Sequence, residues 1–194
     1  MSPDATTELR DLALARGAQI EEVDASQLAI EPWQGSVKLN HHLVWDVCNP
    51  DIEPTSDRRI AVDDNKIPLW VNDPERTLEL AQFWNTEELT RRLADEPTAM
   101  AAFLVELCYP GLKLLEKLDD VETTDDEQAE TVKKLADDFH APKLGSQDPP
   151  VLSFWTHSHR NGDVEQWQVT LGKGLIEIER EVKAEGIGIF LRLL

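Results

Sequence analysis

The stretch Val151–Leu171, VLSFWTHSHRNGDVEQWQVTL, carries the clearest fold signal in this chain of 194 residues. Two runs in which apolar and polar residues alternate flank Asn161-Gly162. An Asn-Gly pair between two such runs is the strongest short-range signal for a β-hairpin. The sequence therefore predicts strands at 151–158 and 164–171, joined by a tight turn.

The register of this hairpin predicts a binding face. With Asn161 and Gly162 as a two-residue turn, His157 lies opposite Gln166 and Trp155 lies opposite Gln168. The face they share, the predicted binding face, holds Trp155, His157, His159, Gln166 and Gln168, and the opposite face, packed on helices, holds Phe154, Trp167, Val169 and Leu171. An aromatic ring among amides and imidazoles is typical of a recognition surface. If the sheet is covered on both sides, Trp155 belongs to the core instead.

The first third of the chain also predicts strands. The run Val37–Cys48 alternates, with His41 on its apolar face, and shorter strands are predicted at Arg59–Val62 and Ile67–Val71. Before them, Ser2 and Pro3 indicate the start of a helix that ends at Gly17.

The middle of the chain predicts helices over about 73–139. Prolines in the first turn predict helices at 97–108 and 110–118, and Thr124 with Glu127 forms a capping-box pattern before another. Residues 174–185 fit a strand slightly better than a helix. We therefore expect one α+β domain, 1–194, in which N-terminal and C-terminal strands form one mostly antiparallel sheet with the helical block on one face.

The charge is strongly acidic. The chain has 38 acidic and 19 basic residues, a formal net charge of −19, and 18 of these net negative charges fall within the first 150 residues. The electric field of a protein with this negative charge repels phosphate backbones and anionic lipid surfaces. The charge therefore disfavours nucleic-acid and membrane partners and favours a basic protein partner. Solubility, or adaptation to a salty cytoplasm, is the alternative explanation of this charge.

The cellular location is predicted from the absence of targeting and membrane-spanning patterns in the sequence. The first residues have no basic and apolar leader pattern, and no window approaches the roughly 20 apolar residues that span a bilayer. Cys48 and Cys108 are far apart and lack metal-site spacing, so we expect both to be reduced. The expectation is a cytoplasmic protein.

The favoured function is a non-enzymatic, acidic protein-binding module of the inhibitor, immunity or adaptor type. No catalytic motif occurs and no cofactor is predicted. The acidic run Asp119–Glu130 contains seven acids and no base. From it we predict docking of a basic protein partner by Asp119, Asp120, Glu122, Asp125 and Asp126.

Two other functions stay open. His157 and His159 are two residues apart on a strand, so both imidazoles point to one face and could share a transition metal in a small metal-dependent enzyme or metal-binding domain. The predicted register puts Glu165 on the other face, so the site needs either an irregular hairpin or a ligand from elsewhere, such as His41, His42 or His140. A structural subunit of a larger assembly is the third possibility, if the apolar tail Ile187–Leu194 is an exposed edge.

Overall fold

The computed structural model describes residues 3–51, 58–73, 77–109 and 111–188, and its contacts divide the chain into two compact units, Met1–Leu89 and Thr90–Leu194. The α+β class is confirmed, and the strands form two antiparallel sheets rather than the single sheet expected. The expectation of one domain stays a prediction. None of the helices in the described ranges has both the length and the apolar character of a membrane span.

The first unit is a four-stranded antiparallel sheet with helices. In chain order it contains α1 (Pro3–Glu21), β1 (Ala29–Pro32), β2 (His42–Cys48), β3 (Arg58–Asp63), β4 (Pro68–Trp70) and α2 (Thr77–Thr86), and its strands lie in the order β1-β2-β3-β4. Trp45 and Val47 on one face of β2 pack with Leu9 and Ala13 of α1. Val44 and His42, on the other face, are also buried. The sheet is therefore covered on both faces.

Three predictions for the first unit are wrong. β2 begins at His42 rather than Val37, and α1 continues past Gly17 to Glu21. His42 is the buried histidine and His41 is exposed, the reverse of the prediction. Alternation alone could not identify the buried face, because both faces of β2 are covered. The two shorter strands are confirmed as β3 and β4.

The second unit is a five-stranded antiparallel sheet with helices. After α3 (Leu89–Arg92), at the sequence boundary between the units, come α4 (Pro97–Cys108), β5 (Leu112–Leu115), α5 (Asp126–Lys133), β6 (Lys143–Leu144), β7 (Val151–Ser158), β8 (Val164–Leu171) and β9 (Ile176–Ala184). The strand order is β5-β7-β8-β9, and β6 also pairs with β7. The helix predicted at 97–108 and the strand within 174–185 are confirmed.

Two local predictions for the second unit are wrong. The helix predicted at 110–118 is replaced by β5, in which Leu115 pairs with Trp155 of β7. Gly111 precedes β5 with a φ of +99°, a conformation that helical residues do not adopt. The N-cap of α5 is Asp125, whose carboxylate accepts the backbone N–H of Gln128, rather than Thr124. Ser2, Pro74, Pro110 and the tail beyond 188 lie outside the described residues.

The β7–β8 hairpin is confirmed, with a register two residues from the one predicted. Trp155 pairs with Gln166, and His157 pairs with Val164. The turn is wider than two residues, because the Gly162 N–H donates to the Ser158 carbonyl at 2.8 Å. A shift of two residues keeps every side chain on its predicted face.

Gly162 is the glycine on which this turn depends. Its φ is +76°, and a Cβ at this position would lie 2.6 Å from the Ile187 carbonyl oxygen. We expect Gly162→Ala to lower the free energy of unfolding by about 2 kcal/mol, because a left-handed conformation alone costs an L-residue about 1–2 kcal/mol. Gly174→Ala, at a position with open space around it, is the control and should change stability by less than about 0.5 kcal/mol in denaturant melts. Equal effects of the two substitutions would contradict this role for Gly162.

Candidate functional site

The central residues of the predicted binding face are buried. Trp155 is fully buried and His157 is 2% exposed, whereas His159 and Gln168 are exposed and Gln166 is partly buried. The side chains that cover Trp155 come from β5, from α5 and from the segment after α5: Leu115, Val132, Leu135 and Phe139. The prediction that Trp155 and His157 present a recognition surface is therefore wrong, because the apolar side of α5 packs on this face of the sheet.

His157 is held as a buried structural group. Its Nε2 lies 2.8 Å from the Ile187 carbonyl oxygen, and because a carbonyl only accepts, Nε2 carries the proton. Its Nδ1 is buried and has no hydrogen-bond partner among the described residues. The ring centroids of His157 and His159 are 5.4 Å apart.

The metal hypothesis lacks a third ligand in the described part of the chain. Glu165 pairs with Thr156, so it lies on the face opposite to His157 and His159. No group of three or more His, Cys, Asp or Glu side chains among the described residues could hold an ion. Shared coordination by the two histidines stays a prediction.

The exposed part of the predicted face lies toward β9. Gln166 pairs with Glu181 and Gln168 pairs with Glu179 across the β8–β9 ladder. These four side chains and Arg180 line a shallow groove of about 180 Å³. The two glutamines thus line an acidic surface groove, whereas Trp155, the cross-strand neighbour of Gln166, is buried.

The predicted acidic docking residues divide into two groups. Asp120 and Asp125 accept backbone N–H groups of Lys117 and Gln128, at 3.1 and 2.8 Å, so their carboxylates cap local structure. Asp119, Glu122 and Asp126 are exposed, and none takes part in a salt bridge within the described ranges. Of the five predicted docking residues, these three have carboxylates that are exposed and do not cap the backbone.

The acidic segment 119–126 is anchored to the body of its unit. Val121, in its middle, is buried in the same apolar cluster as Trp155. Gln128, in the first turn of α5, accepts the N–H of Gly188 at 3.0 Å and of Thr124 at 3.0 Å. The exposed carboxylates therefore extend from a backbone that is fixed on both sides.

Sequence reasoning missed Glu87, which is the most fully engaged buried charge of the first unit. Its carboxylate is 0% exposed and accepts the backbone N–H groups of Asn40, His41 and His42 at 2.7, 2.7 and 2.9 Å. The same carboxylate lies 3.0 Å from Nδ1 of His42. Glu87 is far from residues 40–42 in sequence, so no local pattern indicates the pairing.

These hydrogen bonds fix the protonation state of Glu87. Burial raises the pKa of a carboxyl group, but the hydrogen bonds from His42 and from the backbone of Asn40 and His41 outweigh burial and lower the pKa of Glu87 to about 2. Glu87 is therefore a carboxylate at neutral pH. Since a carboxylate only accepts hydrogen bonds, Nδ1 of His42 carries a proton and donates it to Glu87.

Comparison with known proteins identifies no family, because no family model, no curated protein sequence and no solved structure matches this chain significantly. Geometry and chemistry alone therefore assign its sites. They provide two independent features, the acidic surface of the second unit and the His42–Glu87 pair of the first.

Burial of Trp155 predicts a large loss of stability on truncation. We expect Trp155→Ala to lower the free energy of unfolding by about 3–5 kcal/mol, because it leaves a cavity in the core. Trp167→Ala, on the other buried face, is the matched control and should give a similar loss. Equilibrium denaturation measures both, and a Trp155→Ala loss below about 1 kcal/mol would show that the ring is not core.

The lowered pKa of Glu87 predicts an acid-dependent stability. A carboxylate whose pKa falls from 4.5 unfolded to about 2 folded stabilises the folded state fully above pH 4.5 and loses that contribution as pH falls toward 2. The shift corresponds to on the order of 3 kcal/mol. Glu87→Gln should therefore be strongly destabilised at pH 7, and its deficit relative to wild type should shrink between pH 4.5 and pH 2.

The control for this pH series is Glu31→Gln, which removes an exposed carboxylate from the same unit. We expect its stability to follow the wild type over the whole range, within about 0.5 kcal/mol. A deficit of Glu87→Gln that stays constant from pH 7 to pH 2 would contradict the buried-carboxylate interpretation.

Proposed function

We propose that the chain is a non-enzymatic, acidic protein-binding module that docks a basic protein through the segment 119–126. The observation that carries this proposal is that Asp119, Glu122 and Asp126 are exposed and have no salt-bridge partner in the described part of the chain. The excess of negative charge over the whole chain, −19, supports the same partner chemistry.

The anchoring of the segment favours binding over simple solubility. Carboxylates that serve only solubility can project from any mobile loop. Here the capping by Asp120 and Asp125 and the burial of Val121 fix the backbone between the exposed acids. A fixed array loses less conformational entropy on binding than a flexible one, which increases affinity for a partner of matching charge spacing.

The groove beside Gln166 and Gln168 is a second acidic feature of the same unit. Glu179 and Glu181 line it, and both glutamine side chains offer neutral donors and acceptors. A basic side chain in this groove could pair with a glutamate while its neighbouring backbone groups bond to the glutamines. The groove is the polar part of the proposed interface.

Charge neutralisation tests the proposal. We expect the triple variant D119N, E122Q and D126N to weaken partner binding about tenfold, because each exposed ion pair contributes about 0.2–1 kcal/mol. The native chain, immobilised, captures its partner from extracts of its own cells at low salt, and the purified partner is then titrated against each variant. Affinity should also fall steeply as salt rises.

The matched control is E31Q, D64N and D95N, which removes the same charge from exposed positions elsewhere. Asp120 and Asp125 are left intact because they cap local structure. If both triple variants weaken partner binding equally, the effect comes from net charge alone. That result would contradict a specific docking surface at the segment 119–126. Affinity that does not change between low and high ionic strength would contradict docking through charge.

A further inference from the structure

The strand β9 forms one edge of the five-stranded sheet, and its outer side has no partner strand among the described residues. It is nine residues long and contains no proline. The other strands with a single neighbour are shorter: β1 and β5 have four residues each, β4 has three and β6 has two. Short edge strands and prolines are common protections against pairing with a further strand, and both β1 and β4 contain a proline. β9 has neither protection.

The register of β8 determines which backbone groups of β9 face this open edge. The Leu171 N–H donates to the carbonyl of Pro150, just before β7, so Leu171 and every second residue before it in β8 point their backbone groups to β7. The residues between them point to β9, where they pair with three glutamates: Glu177, Glu179 and Glu181. The backbone N–H and C=O groups of Ile178 and Arg180 therefore face outwards, and no described residue bonds to them.

The glutamates of β9 form a row beside this edge. Glu177, Glu179 and Glu181 share one face of the strand, and all three are exposed. The Glu181 carboxylate pairs with Lys183 at 2.6 Å, whereas Glu177 and Glu179 take part in no salt bridge within the described ranges. Two residues along a strand span roughly 7 Å. The open backbone edge thus lies beside two unpaired carboxylates at that spacing.

The opposite face of β9 carries apolar side chains at the same edge. Ile178 is partly buried and Val182 is 44% exposed. Arg180, between them, lies over the Trp167 ring at 5.6 Å from its centroid, within the range of a cation–π contact. A strand added here would complement basic side chains with the glutamates and apolar side chains with Ile178 and Val182. The edge therefore fits an extended segment in which basic and apolar residues alternate.

A second copy of the chain fits this edge poorly. Antiparallel pairing of two β9 strands places a glutamate of one copy directly opposite a glutamate of the other, whichever of residues 178, 179 or 180 lies at the centre. Like charges directly opposite each other destabilise a strand pair. Charge complementarity therefore favours a basic partner over self-association.

We propose that the open edge of β9 accepts an extended, basic segment of the protein partner as an additional antiparallel strand. Lysine or arginine side chains of this segment lie opposite Glu177 and Glu179, in the pairs of the ladder that bring side chains closest. The apolar residues between them exchange backbone hydrogen bonds with Ile178 and Arg180. The inference rests on the proposed function, an acidic module with a basic partner, and names the form of the segment that the partner presents.

The test uses the synthetic peptide acetyl-TKVKVKT-amide, titrated into the whole chain at about 150 mM salt to screen long-range attraction. Exchange of backbone amide protons in heavy water is followed by NMR. Saturating peptide should slow exchange at Ile178 and Arg180 roughly tenfold or more, because their N–H groups then donate to the added strand. The amides of Glu179 and Glu181 point to β8 in the free chain, so they serve as internal controls and should not change.

Two methylated peptides separate strand pairing from simple attraction between charges. N-methylation of both valines removes the N–H groups that donate to β9 in the antiparallel ladder, so binding should weaken about tenfold or more, the net effect of two hydrogen bonds. N-methylation of two lysines removes N–H groups that point away from β9, so affinity should stay within about twofold. Both peptides keep the charge of the parent peptide.

Substitutions in β9 locate the interaction on the chain. Arg180→Pro removes an outward N–H without removing a bond to β8, so it should abolish peptide binding, whereas Arg180→Ala keeps that N–H and should retain binding. E177Q with E179Q should weaken binding about threefold to tenfold, the range expected for two exposed ion pairs. The matched control, E31Q with D64N, removes the same charge from exposed positions of the first unit and should leave affinity unchanged.

The proposal is overturned by any of four results. These are no slowing of exchange at Ile178 and Arg180 with millimolar peptide, equal affinity of the two methylated peptides, unchanged binding to a folded Arg180→Pro chain, and equal weakening by the two double variants. The methylated peptides need only the native chain, so they decide the question if Arg180→Pro fails to fold.

The same peptide separates this inference from docking through the segment 119–126. The triple variant D119N, E122Q and D126N should bind the peptide within about twofold of the native chain, because screening at this salt limits the effect of charges outside the contact. Peptide binding with no effect of the triple variant on the native partner would contradict the docking segment alone. Partner binding that depends on 119–126, with no strand addition by the peptide, would contradict the β9 inference alone.

Discussion

A central strand of each antiparallel sheet, β2 in the first unit and β7 in the second, is buried on both faces, and this constraint determines where the polar groups of these strands must find partners. In the first unit, Trp45 packs toward α1 while His42 is buried on the opposite face. In the second, Phe154 and Trp155 are adjacent in sequence, point to opposite faces and are both fully buried. A strand of this kind leaves neither face open to solvent, so its polar side chains need internal hydrogen bonds.

The buried polar side chains meet this requirement to different degrees. Thr156 accepts the indole N–H of Trp167 at 2.8 Å, and Glu87 accepts three backbone N–H groups. The indole N–H of Trp155 and one carboxylate oxygen of Glu165 are buried without a hydrogen-bond partner among the described residues. The neighbours of Trp155 are mostly aliphatic and aromatic, so the stability of this region depends on apolar packing more than on hydrogen bonding.

Local sequence signals predicted most helices and strands well. They predicted poorly which distant segments of the chain pair with or pack against these helices and strands. Proline in the first turn located α4, and the Asn-Gly pair located the hairpin, because both signals act within a few residues. Asn-Gly did not fix the turn length, which depends on the backbone contacts of Gly162 with Ser158 and of Ile187 with Gly162. The helix predicted after Pro110 failed because β5 gains its partner from β7, 40 residues later in the chain.

The candidate sites were harder to predict than the helices and strands, because local patterns do not show which distant segments contact a site. Alternation placed Trp155 and His157 on one face correctly, but it carries no information about what covers that face, and α5 covers it. Composition found the acidic run and could not distinguish the carboxylates that cap backbone, Asp120 and Asp125, from those left exposed. Glu87 gave no signal because its partners lie more than 40 residues away.

The division of polar groups into buried and exposed sets has a consequence for function. The buried carboxylate of Glu87 has a fixed geometry, set by backbone N–H groups and by Nδ1 of His42, and its pKa is lowered to about 2, so it stays ionised at neutral pH. Exposed carboxylates such as Asp119 and Glu122 are screened by salt, so the attraction between them and any positive charge weakens as ionic strength rises. Glu87 and His42 belong to the first unit of the chain and the exposed carboxylates to the second. Acid therefore tests the first set through stability, whereas added salt tests the second set through screening.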